Sequence, residues 1–360
     1  MKASLFHSNF TFDGKTFNTE AEWIAFMDRN YPEGAELLRS WFAGEIIQVK
    51  TSGSTGTQKT VSFSSQQMME SARATGRFFN LGPGTKALLC LPLNFIAGKM
   101  MLIRAWTLGW ELIGMEPTIH LKLENRDHFD FAAMIPLQLE NNLAHLNKID
   151  SLIVGGAPVS SELQQRLKSA STNVFATYGM TETITHVAVR ALNVSACQKI
   201  SSGNSIIPEK AFSALPGVTF DIDDRGCLIV RCPRISEKEI VTNDLVEVIS
   251  DKAFVWKGRV DNVINSAGLK LIPEVIEENF SKCISQRFFV AGLPDSKLGE
   301  KLIFVVEGKR DKELMDNLKA FQEKSGGTIQ KNELPRNIFF LPQFEETESG
   351  KINRKKTLSH

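Results

Sequence analysis

With 360 residues, 42% of them hydrophobic, the chain is long enough for two domains and can bury a sizeable core. Lys and Arg number 42 against 41 Asp and Glu, a formal net charge of +1, so bulk charge gives no attraction to nucleic acid or to an anionic membrane and any anion must be bound locally. The five cysteines, Cys90, Cys197, Cys227, Cys232 and Cys283, are scattered without a C-x-x-C metal spacing, as expected of reduced thiols in a cytoplasmic protein.

The opening MKASLFHSNF is too short and too polar for a signal peptide. The most apolar stretch, 100–115, is interrupted by Arg104 and Glu111 and falls short of the roughly 20 apolar residues of a membrane span. A buried helix followed by a strand is expected there. Residues 1–44 hold aromatic-rich helical fragments such as EAEWIAFM at 20–27. The apolar run IIQV at 46–49 then leads into TSGSTGTQK at 51–59, which has the make-up of a phosphate cradle. Gly53 and Gly56 let the backbone turn its N–H groups onto an anion, Thr51, Ser52, Ser54 and Thr55 add donors, and Lys59 adds charge. A Ser/Gly-rich surface loop between strands is the alternative. The P-loop of nucleoside triphosphatases does not fit, because Gln58 stands where that motif needs glycine and TVSF at 60–63 reads as a strand before Ser64 opens a helix.

Ser64 and Gln67 have the spacing of a capping box, followed by Met68, Ala72 and Phe79 on one helical face. Strand and helix patterns then alternate: strand 86–91, helix 99–108, strands 111–114 and 131–134, helix 137–146, and strand 151–154 ending in Gly155-Gly156, with Ser160 or Ser161 capping the next helix. Such alternation predicts α/β layers with a mostly parallel sheet, whose ligands bind beyond the carboxyl ends of the strands. After about Thr185, short strands at 220–222, 227–230, 246–249 and 254–256 suggest a smaller, more antiparallel subdomain. Beyond Gly258 an α+β mixture follows, with helices at 273–280 and 311–324 and strands at 288–291 and 302–306. The expected domains are 1–258 and 259–360.

Four further stretches carry chemistry. TYGMTET at 177–183 reads as a tight turn around Gly179 in which Glu182 can hold Mg²⁺ beside phosphate-facing hydroxyls; a Thr-capped helix N-terminus is the alternative. Thr242-Asn243-Asp244 reads as an acidic turn. GRVD at 258–261 marks the domain boundary, and SGKINR at 349–354 lies in a polar tail.

In order along the chain, TSGSTGTQK, LPLNFIAG, GGAP, TYGMTET, TND, GRVDNVINSAG and SGKINR resemble the motif set of the adenylate-forming acyl- and aryl-CoA ligases, over residues 48–357. The short chain and the LPLNFIAGKMM stretch further resemble the o-succinylbenzoate:CoA ligases of menaquinone synthesis. The resemblance implies an ATP-dependent acid:thiol ligase using ATP, Mg²⁺ and CoA. It also implies a large N-terminal α/β domain with a small antiparallel subdomain, followed by a small mobile α+β domain.

By that resemblance, Thr51, Ser52, Gly53, Ser54, Thr55, Gly56 and Lys59 hold the β- and γ-phosphates, Thr181 meets the α-phosphate and Glu182 binds Mg²⁺. Gly155, Gly156, Ala157, Pro158, Tyr178 and Gly179 line the adenine site, and Asp244 and Arg259 meet the ribose. Lys351 is the implied catalytic lysine, Asp261 the hinge, and Gly268 borders the CoA path.

The chain departs from the family pattern at several points. Gln58 replaces a proline, Asn94-Phe95 an aromatic-His pair, and Asn243 the glycine before Asp244. The glycine-rich loop comes at residue 51, so a large N-terminal part of the usual architecture is expected to be absent, or its contribution to the pocket wall supplied by a second chain in a homodimer. The pocket for a succinylbenzoate should be apolar with one cationic end; Lys99 and Arg104, near Asn94 and Phe95, are the candidates, against the alternative that Arg104 snorkels from a buried helix. Another aryl or fatty acid, a carrier-protein thiol as acceptor, and a catalytically silent nucleotide-binding protein are the competing readings.

Overall fold

The computed structural model describes residues 6–50, 60–124, 128–200, 208–346 and 352–359. The chain divides into two compact units: 1–220 with 230–240 and 249–254, and 221–229 with 241–248 and 255–360.

The first unit opens with β1 (Thr11–Phe12), then α1 (Glu20–Asn30) and α2 (Pro32–Phe42). Thr19 caps α1 by accepting from the Glu22 N–H, and Pro32 starts α2, where its missing N–H costs nothing. β2 (Ile47–Lys50) and β3 (Thr60–Phe63) pair as an antiparallel ribbon. α3 (Ser65–Phe79) follows, and both bonds of the Ser64/Gln67 capping box form. A strand therefore precedes the helix, as the exclusion of a P-loop requires.

β4 (Lys86–Leu89), α4 (Ile96–Leu108), β5 (Glu111–Gly114) and β6 (Phe129–Met134) come next. α4 is apolar nearly all round, and every side chain from Met100 to Trp106 is buried. The helix expected over 137–146 is instead α5 (Pro136–Asn141) followed by a 3₁₀ turn at Leu143–Lys148. The cause is Asn142, whose buried side chain accepts from the Leu121 N–H and donates to the Ile119 and Gln138 carbonyls, competing with the helical ladder. β7 (Ile149–Val154), α6 (Ser161–Leu167, capped by Ser160), β8 (Asn173–Gly179), β9 (His186–Ala191), α7 (Val194–Ile200) and β10 (Ala211–Ala214) complete this part.

Strand order is β1-β5-β4-β6-β7-β8-β9-β10, parallel as far as β8 and antiparallel from there. Both faces are covered, which is why these strands read as continuous apolar runs. Phe131 and Phe175 pack on Phe79 of α3, with ring centroids 5.4 and 5.2 Å away, while Ala132, Met134, Leu152, Val154 and Val174 join Leu163 and Leu167 of α6 in a core cluster. The early aromatics serve packing: Trp23 and Trp41 meet Trp106 of α4 edge-on at 4.9 and 4.8 Å.

β11 (Thr219–Ile222), β12 (Cys227–Arg231), β13 (Ile240–Ser250) and β14 (Ala253–Arg259) lie in the order β14-β13-β12-β11, and the division between the units passes through these strands. Thr242-Asn243-Asp244 is thus strand and not the turn read from the sequence. Ile240, Val241, Leu245 and Val246 surround it with strand formers, and the Thr242 hydroxyl takes the Asp244 N–H at 3.0 Å.

In the second unit β15 (Ile264–Ser266) and β16 (Leu269–Leu271) form a hairpin, followed by α8 (Pro273–Phe280), β17 (Phe288–Asp295), β18 (Gly299–Glu307), α9 (Leu314–Lys324), β19 (Asn337–Leu341) and α10 (Arg354–Leu358). The five strands form one mixed sheet with β18 at its centre. α9 begins three residues later than the sequence suggests, because the Asp311 carboxylate captures the Glu313 N–H at 2.8 Å. Among the described residues no helix is long and apolar enough to cross a membrane, and all five cysteines are free.

Candidate active site

In the first unit the parallel strands β6, β7 and β8 end side by side, so the turn after β7 meets the end of β8. Gly155 donates its N–H to the Met134 carbonyl at 3.1 Å, and Thr177 Oγ1 donates to the Val154 carbonyl at 3.2 Å. A Cβ on Gly155 would lie 2.5 Å from that hydroxyl, and Gly156 has φ +88°, so both glycines are sterically required. Ala157 and Pro158 then lead to α6. Tyr178 is half-buried, its ring edge-on to Phe254 at 5.0 Å and tilted against Phe212 at 5.8 Å. Thr177 thus ties the glycine turn to β8, and the next residue, Tyr178, is held by its ring contacts with Phe212 and Phe254.

The expected turn around Gly179 lies elsewhere. Tyr178 and Gly179 end β8, with a register break against β9 where a Gly179 Cβ would lie 2.4 Å from the Thr185 carbonyl. Reversal comes after them, in a 3₁₀ turn at Thr181–Thr183 and a tighter turn centred on Ile184. Ile184 has φ +66° and ψ −59°, and the Thr185 N–H reaches the Thr183 carbonyl at 2.7 Å, a γ-turn of the strained hand. Two features hold it: the Ile184 side chain is buried, and the buried Thr183 hydroxyl lies 2.9 and 2.7 Å from the Met180 and Thr185 carbonyls. Glu182 is left exposed and Thr181 half-buried.

The strained turn delivers Thr185 and His186 to Arg104. The guanidinium of Arg104 is 1% exposed and donates from Nε to Thr75 Oγ1 and from Nη2 to Thr185 Oγ1, both at 3.2 Å, with His186 Nδ1 at 3.4 Å. It does not snorkel. Burial pushes its pKa down to about 9, so it stays a cation at neutral pH, and burial together with Arg104 holds His186 well below the usual imidazole range. A neutral His186 with Nδ1 accepting carries its proton on Nε2, which has no partner among the described residues. No carboxylate of the described residues pairs with Arg104, an expensive state for a buried cation. Sequence reasoning missed Thr75, Thr185 and His186. Thr75 had a usable signal, as a hydroxyl on the apolar stripe of Met68, Ala72 and Phe79. Lys99 is half-buried, its ammonium pushed down by burial and partly restored by Glu36, whereas Asn94 and Phe95 are exposed at the start of α4.

In the second unit Asp244, Arg259 and Asp261 come together. Asp244 is 7% exposed, and its Oδ1 accepts from Trp256 Nε1 at 3.2 Å and lies 3.6 Å from Arg259 Nη1. Arg259 Nη2 donates to Asp261 Oδ2 at 2.9 Å, and this bond leads the causes that hold Asp261 below the usual carboxylate range. Gly268 sits apart, in the two-residue β15–β16 turn where Ala267 and Gly268 both have positive φ, +52° and +82°.

The run at 51–59 and Lys351 lie outside the described residues, but the chain flanking each is anchored. Lys50 pairs with Thr60 across the β2–β3 ribbon. Near the C-terminus Glu346 bridges Ile352 and the Asn353 N–H donates to the Glu345 carbonyl at 2.7 Å. Arg354 then grips Glu277 Oε2 at 2.8 Å, the Val290 carbonyl at 3.2 Å and, more distantly, Glu274 at 3.7 Å. Burial raises Glu277 to about 7 against the pull of Arg354. A carboxyl raised in this way stabilises the fold fully below its unfolded value, and that contribution fades as pH climbs to about 7. Glu277→Gln is expected to remove this fade, worth ~2 kcal/mol between pH 5 and 8. Urea midpoints of the two proteins that run parallel across this range would refute the assignment.

The first unit thus presents the 155–158 glycine turn and a packed tyrosine at strand carboxyl ends with an exposed Glu182 beside Thr181, and the second an Asp/Arg pair on strands. The chain belongs to the AMP-binding enzyme family, whose profile matches residues 50–222. It is 35% identical to an acyl-CoA synthetase (AMP-forming)/AMP-acid ligase II-like protein from Dyadobacter fermentans, covering 92% of this chain and 95% of that one with a TM-score of 0.57. It is 25% identical over 292 residues to the 2-succinylbenzoate:CoA ligase of Salmonella typhimurium, which covers 74% of this chain and 59% of that relative's length. The fold is also that of o-succinylbenzoate CoA synthetase from Bacillus subtilis in complex with its acyl-adenylate intermediate, at 20% identity and a TM-score of 0.70 over 86% of this chain and 68% of that one.

Proposed function

We propose that the chain is an AMP-forming acid:CoA ligase that activates o-succinylbenzoate, placing it in the cytoplasm and in menaquinone synthesis. The carboxylate oxygen attacks the α-phosphorus of ATP, the bond to the bridging oxygen breaks and pyrophosphate leaves. The CoA sulfur then attacks the acyl carbon, AMP departs and the thiol proton goes to solvent. In this reading Thr51, Ser52, Gly53, Ser54, Thr55, Gly56 and Lys59 hold the outer phosphates, and Thr181 meets the α-phosphate. Gly155, Gly156, Ala157, Pro158, Tyr178 and Gly179 receive adenine, and Asp244 and Arg259 the ribose. Mg²⁺ needs only a carboxylate or two alongside phosphate and water, so the exposed Glu182 suits it; bound there, the ion would offset phosphate charge. Lys351 supplies the ammonium of the first step. The mobile domain starts at residue 259, with Asp261 as its hinge and Gly268 beside the CoA path.

The observation that carries the substrate choice is Arg104, a buried cation tied through Thr185 to the chain that leaves Glu182, with no carboxylate partner among the described residues. The second carboxylate of a diacid would supply that partner. The 2-succinylbenzoate:CoA ligases among the relatives support the same choice.

The test is thioester and AMP formation from ATP, Mg²⁺, CoA and o-succinylbenzoate, with benzoate and a fatty acid as controls. Equal turnover of the monoacids would reject the diacid while keeping the ligase. ATP binding without pyrophosphate release with any acid would mark a silent nucleotide-binding protein. A homodimer supplying further pocket wall completes the proposal, and sedimentation at assay concentration checks it.

A further inference from the structure

Between the β11–β12 turn and residue 261 runs a chain of polar contacts that nucleotide binding does not by itself explain. Asp223 Oδ1 accepts from the backbone N–H groups of Arg225 and Cys227, both at 2.9 Å, and its Oδ2 accepts from Arg225 Nε at 2.8 Å. The guanidinium so fixed donates from Nη2 to the Thr242 carbonyl at 3.0 Å and from Nη1 to Asn243 Oδ1 at 3.1 Å. That contact sets the amide's orientation, because only its oxygen can face a guanidinium. The Asn243 NH₂ group is therefore turned to Asp261 and lies 3.2 Å from each carboxylate oxygen. Asp261 in turn holds Arg259, whose other arm lies beside Asp244. A glycine at 243, the residue expected there from the family pattern, would make none of these contacts.

We propose that Asn243, backed by Arg225, is a positioning residue for Arg259, fixing the Asp261 carboxylate so that the guanidinium is already set beside Asp244 when ATP arrives. This rests on the reading of Asp244 and Arg259 as ribose contacts. Arg259 is 39% exposed on a long side chain, so without a fixed anchor it would lose rotamer freedom only on binding ATP, and affinity would fall by that cost. Asn243 suits the task because it is neutral: it orients the carboxylate and leaves the negative charge to Arg259.

Equilibrium dialysis with labelled ATP tests this without needing the acid substrate. Asn243→Gly is expected to weaken ATP binding roughly fivefold, the scale of one typical net hydrogen bond. Asp261→Ala should weaken it at least as much, and adding Asn243→Gly to Asp261→Ala should change nothing further, since the amide acts through that carboxylate. A general loss of structure would instead persist in the double variant and lower its thermal midpoint. Unchanged binding in Asn243→Gly, or additive losses in the double variant, would overturn the proposal while Arg259→Ala still binds weakly. If Arg259→Ala binds ATP as the wild type does, the ribose reading fails and the positioning role with it.

Discussion

Lys351→Ala is expected to slow adenylation by about two to three orders of magnitude while leaving thioester formation from a supplied acyl-adenylate within a few-fold of wild type. The first half-reaction brings a carboxylate against a phosphate that is already negative, and a positioned ammonium both relieves that repulsion and meets charge that grows towards the transition state. The second half-reaction begins from an acyl-adenylate whose carbonyl carbon is neutral, so the same charge has little to stabilise. The chain after residue 351 is anchored within the second unit. Ile352 is bridged to Glu346, and Arg354 is tied to Glu277 on α8 and lies 5.7 Å over the Phe289 ring. Pyrophosphate exchange and single-turnover thioester formation, measured side by side, decide it; equal loss in both would reassign the lysine.

Arg104→Met should separate substrate choice from folding. Methionine fills much of the arginine volume without charge, and replacing a buried ion by an apolar group of similar size often costs little. The thermal midpoint is expected to stay near that of the wild type. The KM for o-succinylbenzoate should rise about a hundredfold, the cost of losing one partner of a buried charge pair, and the KM for benzoate should change little. Both changes take the guanidinium from Thr75 and Thr185, and Arg104→Ala is the harsher because it also leaves a cavity. If both acids lose affinity equally in Arg104→Met, the arginine supports the pocket and does not read the second carboxylate.

Much of the architecture was legible from local pattern. The Ser64/Gln67 capping box, the strand at Glu111–Gly114 and the helix at Pro273–Phe280 lie where spacing, β-branched content and Pro placement put them. The misses have two causes. Asn142 ends a helix through bonds to Leu121 and Ile119, 21 and 23 positions away, and Thr242-Asn243-Asp244 is drawn into a strand by its neighbours, whereas Asp311 delays a helix through a local bond two residues on.

The sequence by itself determined the family, through motifs whose order along the chain is the signal, because residues that face a phosphate or turn a backbone are constrained one by one. It also identified Arg104 as a candidate cation, but left open whether that side chain reaches solvent. Only the tertiary structure decided this. Thr75 lies 29 positions before Arg104, and Thr185 and His186 lie 81 and 82 positions after it. Their convergence depends on helix packing, on the return of β9 beside β8 and on the strained turn at Ile184, where burial of one side chain outweighs the local preference of the backbone.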